Sequence, residues 1–366
     1  MGERVVVAGA GMVPFVAAGA NARGIAGGAI RGALEDAGID AELVDQAVAS
    51  HVLGDPTAGD RALARAGLTG IPVSNVSNGA ASGSAALFHA RQALLSGEAQ
   101  CVLAVGFEET VESSTRSSEL RRRCVTRLDQ AATHLGIGDE TFARVAIKAR
   151  AHGARNPYAL HREPLSLDEA LAAPLVGGRL RQSYVSGASC GAAAVVLCTP
   201  RFAAQHGIRD DVLLAAHVLE IDDCDSDTPG ARNGLTGGTT RRVAERAYES
   251  AGVDPGEVAV AEVHDCCVVD ELVACAALGF CAEDHLERFV RSGANTYGGR
   301  VVVSPSGGLL SMGHAPGAAG LAQVCELAWQ LRGEAGPRQV PGARVALQQN
   351  GEPGGAIAVA ILRRKA

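Results

Sequence analysis

The stretch that decides the fold is residues 72–105, PVSNVSNGAASGSAALFHARQALLSGEAQCVLAV. A strand-like segment, Pro72–Val76, leads through Ser-Asn-Gly into an Ala-rich helix that starts at Ala80 and stops at Gly97, and a buried strand follows at Gln100–Val105. The helix residues stay small for two turns, which lets another backbone approach closely. The stretch therefore predicts a strand–helix–strand unit whose helix packs centrally.

The same unit recurs in the second half of the chain. VVVSPSGG at residues 301–308 leads to a helix that starts near His314, reads HAPGAAGLAQVCELAWQLRG, and is followed by RVALQ at residues 344–348. Two copies packed pseudo-symmetrically would bring the two small helices together. Their N-terminal ends would offer unpaired N–H groups and positive dipole ends, which stabilise oxyanions and thiolates.

Strands and helices alternate along most of the chain, which predicts an α/β fold with parallel strand pairing. Residues 108–185 are more charged and contain an amphipathic helix, which indicates an inserted lid or a dimerisation arm. We therefore expect an N-terminal half at residues 1–205, which carries this insertion, and a C-terminal half at residues 206–366.

Composition excludes several classes of protein. Lys and Arg number 33 against 40 Asp and Glu, so the basic excess of a general nucleic-acid binder is missing. Ten Cys occur without any C-x-x-C pair, and no metal site is expected. The chain shows neither a leader pattern nor an apolar run near 18 residues, so we expect no membrane span and a cytoplasmic location.

Two short runs carry the candidate chemistry. His264 and Cys266 stand in EVHDCC at the end of a predicted buried strand, where α/β sheets place ligands. His314 opens the second small helix, where the helix dipole favours a neutral imidazole that can act as a base. The position that suits a nucleophile, at the start of the first small helix, is occupied by Ala80.

The runs NVSNGAASGSAAL, EVHDCCVVDEL, SPSGGLLSMGHAPGAAGLAQ and WQLRGEAGPRQVPGARVALQ resemble the thiolase superfamily, and most of all the sterol-carrier-protein-linked thiolases. The resemblance covers nearly the whole chain in order. It implies a five-layer αβαβα fold of two similar halves with an inserted loop domain, as a homodimer. It also implies acyl-thioester chemistry, with a coenzyme A or acyl-carrier-protein thioester as the substrate and no permanently bound cofactor.

The resemblance further implies residue roles. A cysteine at position 80 would attack the thioester, His314 would deprotonate that cysteine, and His264 would bind the thioester oxyanion. Cys266 would move the proton at the α-carbon. Further substrate or oxyanion contacts would come from Gly313, Asn350 and Gly354. Some relatives of this kind work with an OB-fold and zinc-ribbon partner protein.

The sequence departs from the family pattern at three places. Ala80 replaces the nucleophile, Gly-His-Ala-Pro replaces Gly-His-Pro at residues 313–316, and QNGEPGG at residues 349–355 replaces a His-Asn start and a more apolar glycine loop.

Three interpretations of Ala80 compete. The natural protein has a cysteine there and this chain is an inactivated variant of a Claisen-condensing or thiolytic acyltransferase of lipid metabolism. Alternatively, alanine is natural and the enzyme performs a non-covalent retro-aldol cleavage or decarboxylation on an acyl-CoA. Third, the chain is a non-catalytic subunit that binds acyl-CoA. A plain α/β domain with His and Cys in its core does not account for four motifs in order.

Overall fold

The structure is a computed structural model that describes residues 5–17, 22, 24–109, 114–222 and 237–365, with the side chains of 114–117 left aside. The elements before the insertion are β1 (Val5–Met12), β2 (Val16–Ala17), α1 (Ile25–Ala37), β3 (Gln46–Ser50), α2 (Ala58–Arg65), β4 (Val73–Val76), α3 (Ser82–Leu95) and β5 (Cys101–Glu108). The insertion holds α4 (Ser114–His134), α5 (Asp139–Gly153), α6 (Leu167–Ala172), β6 (Leu175–Gly177) and β7 (Leu180–Arg181).

The chain then continues through β8 (Ser189–Cys198) and α7 (Pro200–His206). The remaining elements are β9 (Val212–Ile221), α8 (Gly238–Ala251), β10 (Val260–Glu262), α9 (Val268–Ala277), α10 (Leu286–Arg291), β11 (Val302–Val303), α11 (Gly308–Met312), α12 (Pro316–Arg332), β12 (Val345–Gly351) and β13 (Ala356–Arg364). Both predicted small helices are present, as α3 and α12.

The two halves of the chain build the same five-stranded arrangement. The first half has the order β4-β3-β5-β8-β1 and the second has β11-β10-β12-β13-β9. In each half the first three strands are parallel and the last two pair antiparallel. The two arrangements join where β1 meets β9 through two residue pairs, Val5–Leu214 and Val6–Leu213. The internal repeat is therefore confirmed at the level of topology.

The strand pairing differs in part from the expected parallel pairing. β12 and β13 are separated by residues 352–355 alone, and so short a connection reverses the chain direction and requires antiparallel pairing. Parallel pairing is confined to β3, β4 and β5 and to β10, β11 and β12, where helices form the crossovers. The fold is mixed α/β.

Helices α3 and α12 form the central layer between the two sheet halves. α3 packs on β3 and β5, whereas α12 packs on β5 and β8 of one half and on β12 of the other. α1 covers the outer face of β1 and β8, and α8 covers β9 and β13. This gives helix and sheet layers in the order αβαβα, as expected.

Glycines let the two central helices touch along their first turns. A Cβ added to Gly320 would lie 2.6 Å from the backbone N of Ser84, and one added to Gly83 would lie 3.0 Å from the N of Gly320. A side chain at either position would push the helices apart. The close approach sets the N-terminus of α3 beside the N-terminus of α12, and this positions the site described below.

The insertion between β5 and β8 packs against the second half. α5 buries Phe142 and Val145, and Lys148 reaches Glu271 of α9 at 2.8 Å. α4 packs on α9 and on the small β6–β7 hairpin. The division of the chain into halves at residues 205 and 206 stays a prediction. In the described part of the chain, the helices are all too short or too polar to cross a bilayer.

Candidate active site

Ala80 closes a tight turn in front of α3. Gly79 has φ +56°, and the Ser82 hydroxyl both donates to the Gly79 carbonyl at 2.7 Å and accepts from the Asn78 N–H at 2.7 Å. Ala80 is only 5% exposed, and its methyl group meets a cavity of about 210 Å³. The cavity is lined by Gly79, Ala80, Glu119, Leu120, Arg123, His314, Pro316 and Glu352.

The backbone of His314 is fixed between α11 and α12. Its N–H donates to the Gly187 carbonyl at 2.8 Å, and its carbonyl accepts from the Ser189 N–H at 3.2 Å. Gly313 has φ +90°, and an added Cβ there would lie 2.6 Å from Ser189 Oγ, so only glycine fits. Pro316 occupies the first turn of α12, which suits its missing N–H. The imidazole of His314 therefore reaches the cavity from a rigid loop.

His264 follows β10 and lies edge-on to His314, with the ring centroids 5.1 Å apart and an interplanar angle of 77°. Asn350 Nδ2 lies 3.1 Å from His264 Nδ1. The Ser84 hydroxyl donates to Asn350 Oδ1 at 3.0 Å, and Gln348 Nε2 donates to that hydroxyl at 2.6 Å. This chain of bonds turns the Asn350 amide so that its NH₂ group faces the imidazole.

The direction of these hydrogen bonds fixes the tautomer of His264. Nδ1 accepts from Asn350, so in the neutral ring the proton is on Nε2. Burial, then the charges of His314, Arg123 and Arg127, hold the pKa of His264 well below its ordinary value. Nε2 has no hydrogen-bond partner among the described residues. A neutral His264 therefore presents one N–H donor for a ligand oxygen.

Cys266 is 4% exposed and packs with Leu309 and Ala319, beside Leu120 of α4. Its thiol donates to Asp270 Oδ2 at 3.0 Å. A hydrogen bond with Cys124, burial, and the Asp270 carboxylate raise the pKa of the Cys266 thiol well above its ordinary value. The group is therefore protonated at neutral pH and can donate a proton.

Buried carboxyl groups support the loops that carry these residues. Glu262 accepts from the Ser306 N–H at 3.0 Å and from the Ser306 hydroxyl at 2.8 Å. Burial and the Glu326 carboxylate raise the pKa of Glu262 to about 8. Asp265 accepts from the Leu309 N–H at 2.7 Å, and burial followed by the Glu271 charge raises its pKa well above the usual range. Glu262 thus ties the 262–267 segment to the loop before α11, and Asp265 ties it to the first turn of α11.

Charged residues surround the mouth of the cavity. Arg123 of α4 forms an ion pair with Glu352, which lies in the turn between β12 and β13. Arg121 and Arg122 are exposed on α4 and do not line the cavity. The insertion and the C-terminal turn thus meet across the cavity. No group of three or more metal-ligating side chains occurs within the described ranges.

The other predicted substrate contacts, Gly313, Asn350 and Gly354, are bonded to other protein groups. The Gly313 N–H donates to the Leu309 carbonyl at 2.9 Å, and the Gly354 N–H donates to Asp222 Oδ2 at 2.9 Å. Asn350 is fully buried behind His264. In the structure Ala80 and His314 line one cavity, His264 is in ring contact with His314, and Cys266 packs beside Leu120 of the cavity wall. Gly354 lies on an exposed turn and its N–H is already bonded.

Sequence reasoning missed the residues that hold the site. Ser84 contacts Asn350 and Asp270 contacts Cys266 directly, and Gln348 supports Ser84. Asp270 follows Cys266 by four residues at the start of a predicted helix, and that spacing places two side chains on one face. Ser84 and Gln348 carry no such signal, because their partners lie 266 and 264 residues away in the chain.

Sequence relatives agree with this arrangement. Residues 5–166 match the thiolase N-terminal domain, and residues 223–364 match the thiolase C-terminal domain-like family. Human sterol carrier protein 2 is 39% identical over 393 aligned residues, which cover 99% of this chain and 72% of that protein. An acetyl-CoA acetyltransferase of Methanothermobacter thermautotrophicus is 31% identical over 369 residues, covering 91% of this chain and 92% of that enzyme.

Solved structures share the fold. An Ltp2-ChsH2(DUF35) aldolase superimposes with a TM-score of 0.86 at 21% identity, over 99% of this chain and 98% of that chain. Human mitochondrial 3-ketoacyl-CoA thiolase in complex with CoA gives a TM-score of 0.78 at 16% identity, over 100% and 98% of the two chains. The thiolase-like fold is confirmed. Thiolase domains match in both halves, and a relative is 39% identical over 99% of this chain, so the chain belongs to the thiolase family.

Proposed function

We propose that this protein breaks or forms a carbon–carbon bond of an acyl-CoA without a covalent acyl-enzyme. The observation that carries the proposal is that Ala80 and His314 line one cavity, the His264 ring lies 5.1 Å from the His314 ring, and Cys266 packs beside Leu120 of the cavity wall. Three side chains that can bind or transfer protons are in place. The alanine at position 80 has no nucleophilic group. Family relatives named for acetyl-CoA and 3-ketoacyl-CoA chemistry support a CoA thioester as substrate.

The thioester carbonyl would accept a hydrogen bond from His264 Nε2. The Gln348–Ser84–Asn350 chain holds that donor in one orientation before the substrate arrives. A preorganised donor in a buried site stabilises a developing enolate oxygen more than water does. Asn350 acts in this scheme through His264 and not by direct contact with the substrate.

A retro-aldol cleavage fits these groups. His314 takes the proton from the β-hydroxyl of a β-hydroxyacyl-CoA, and the Cα–Cβ bond breaks as the β-carbon becomes a carbonyl. The bond's electron pair enters the thioester as an enolate, whose oxygen His264 holds. Cys266 then gives its proton to the α-carbon. The products are an aldehyde or ketone and a shorter acyl-CoA, and the reverse sequence is an aldol addition.

Acyl transfer of the thiolase type is the second candidate. It is favoured by the position of residue 80, which precedes α3 and shares a cavity with His314. A cysteine there would have a helix N-terminus to lower its pKa and a base to remove its proton. Under this alternative, the alanine is a substitution that inactivates a Claisen-condensing or thiolytic enzyme.

A homodimer and an OB-fold, zinc-ribbon partner are further proposals. The aldolase neighbour is a complex of Ltp2 with ChsH2(DUF35), and this supports the search for a partner protein. A third alternative is that the chain binds acyl-CoA as a non-catalytic subunit. Under it, cavity variants would change binding, and no acyl-CoA would be turned over with or without a partner.

The test is a substrate screen. Purified protein is incubated with a panel of β-hydroxyacyl-CoA and 3-ketoacyl-CoA esters, and the products are followed by liquid chromatography and mass spectrometry. We expect an aldehyde or ketone with a shorter acyl-CoA from a β-hydroxyacyl ester, and loss of this activity in His314→Ala. Cleavage of 3-ketoacyl-CoA by added CoA, with no retro-aldol product, would contradict the proposal and favour acyl transfer.

A further inference from the structure

The Cys266 thiol has a specific carboxylate partner, Asp270. The Sγ–Oδ2 distance is 3.0 Å, and the same oxygen accepts the Cys267 N–H at 2.9 Å. Asp270 is the third residue of α9, and its carboxylate belongs to the capping box of that helix. Because the helix cap holds the carboxylate in place, its bond to the thiol is a built contact and not a chance surface approach.

The second oxygen of Asp270 faces Arg127 of α4, with Nη1 2.9 Å from Oδ1. The Asp270 and Arg127 side chains are 10% and 13% exposed, against 4% for Cys266, so the ion pair lies nearer the surface than the thiol. Asp270 thus stands between the buried thiol and the outside of the protein. One carboxylate oxygen contacts the Cys266 thiol, and the other contacts Arg127 on the side nearer the surface.

Several other groups face the Cys266 thiol from neighbouring elements. Cys124 and Arg123 belong to α4, and Glu352 belongs to the turn after β12. Arg123 is paired with Glu352 and Arg127 with Asp270, so these charges balance in two pairs. The carboxylate in direct contact with Sγ is nevertheless that of Asp270. It opposes ionisation of the thiol unless a proton moves at the same time.

The proposed reaction creates a need for such a proton. Each retro-aldol turnover leaves His314 with an added proton and Cys266 as a thiolate, and the thiolate must be reprotonated before the next cycle. We propose that Asp270 positions the Cys266 thiol and returns a proton to it from solvent. Asp270 takes a proton from water at its carboxylate and passes it to Sγ, and His314 releases its proton to water. In aldol addition each transfer runs in reverse.

This inference rests on the proposed function, but its test does not depend on turnover. Asp270→Asn keeps an oxygen for the Cys267 N–H and removes the negative charge. Alkylation of Cys266 by iodoacetamide is followed by peptide mass spectrometry between pH 7 and 10. We expect the Cys266 pKa to fall in Asp270→Asn, which raises the alkylation rate at pH 8 by roughly tenfold for each pKa unit.

The second readout is exchange of the α-hydrogens of acetyl-CoA in D₂O, followed by NMR. Asp270→Asn is expected to slow this exchange by about tenfold or more, because the thiol loses its proton acceptor. Faster alkylation together with slower exchange is a combination that damage to the helix cap does not produce. Glu257→Gln is the matched control, since Glu257 is the exposed N3 residue of the capping box at turn 255–257 and accepts the Asp254 N–H, as Asp270 accepts the Cys267 N–H. It should change neither rate.

An unchanged or higher Cys266 pKa in a folded Asp270→Asn protein would overturn the inference. If the wild-type protein exchanges no α-hydrogen, that result counts against the proposed function. The alkylation profile still decides the role of Asp270 in that case. Circular dichroism and the melting temperature report whether the variant is folded.

Discussion

Ala80 presents a methyl group to a cavity that His314 also lines, and His264 lies one ring contact further on. The side chains that bind or transfer protons are therefore all present at this site. The residue at position 80 determines which bonds they act on. A thiol there would make the chemistry covalent, and a methyl group leaves proton transfer and oxyanion binding.

Ala80→Cys is expected to confer thiolysis of a 3-ketoacyl-CoA about 10⁴-fold or more above the rate of the unaltered chain, because a covalent intermediate divides one difficult step into two. The shorter acyl-CoA formed with added CoA is the quantity to measure. Ala81→Cys is the control, since residue 81 is 1% exposed and does not line the cavity. A folded, CoA-binding Ala80→Cys protein without this gain would count against acyl transfer.

Ser84→Ala removes the donor that orients the Asn350 amide, and the ring of His264 then loses its fixed tautomer. We expect turnover to fall by roughly 10- to 100-fold, as a misplaced catalytic group does, with acyl-CoA affinity within about threefold of the original. Steady-state kinetics and calorimetry separate these quantities. Ser96→Ala at the exposed end of α3 is the control, and equal losses of turnover in both variants would refute the role of Ser84.

Among the elements, α3 and α12 were the most predictable. Their small residues, Gly-rich starts and following strands indicate a repeated unit with central helices, and the structure confirms it. Antiparallel pairing was not predicted for β13, although the short connection from β12 indicates it. For β8 it was less accessible, because that strand is almost wholly apolar and carries no sign of direction. The bonds from Ser84 and Gln348 to their partners were not predictable, since they depend on how the two halves dock.

Gly320→Ala is expected to destabilise the protein by about 1–3 kcal/mol, because the added methyl group would lie 2.6 Å from the backbone of Ser84 and force the helices apart. Urea unfolding gives the change in the free energy of unfolding. Gly27→Ala is the matched helical control, since its added methyl group meets only the end of the Arg31 side chain at 3.4 Å. It should stabilise the protein by about 0.5–1 kcal/mol through helix propensity. Similar effects of the two changes would rule out close packing as the reason for Gly320.

For the whole molecule, the stability of the fold depends on pH through its buried acids. The pKa of Glu262 is raised from 4.5 to about 8, so the native state holds a proton that the unfolded state releases above about 4.5. This group's stabilising contribution is full below pH 4.5 and is lost as pH rises through 8. Its effect on the free energy of unfolding has a slope of up to about 1.4 kcal/mol per pH unit.

Glu262→Gln is expected to reduce the fall in melting temperature between pH 5 and pH 8, because glutamine keeps the contacts to Ser306 and does not ionise. Scanning calorimetry at several pH values measures the slope for each protein. Glu257→Gln on the surface is the control and should leave the slope unchanged. Parallel curves for the original chain and Glu262→Gln would show that Glu262 is ionised throughout.

The contact between Ser84 and Asn350 also has a consequence for synthesis of the protein. The two residues are 266 positions apart, and a ribosome that adds roughly 5–20 residues per second needs about 13–50 s to cover that distance. During this time α12 and His314 have not yet been synthesised. The glycine-lined face of α3 therefore lacks its packing partner, and position 80 has no His314 beside it. The active site is therefore completed late in biogenesis, and the first half depends on chaperones or on its own compactness until then.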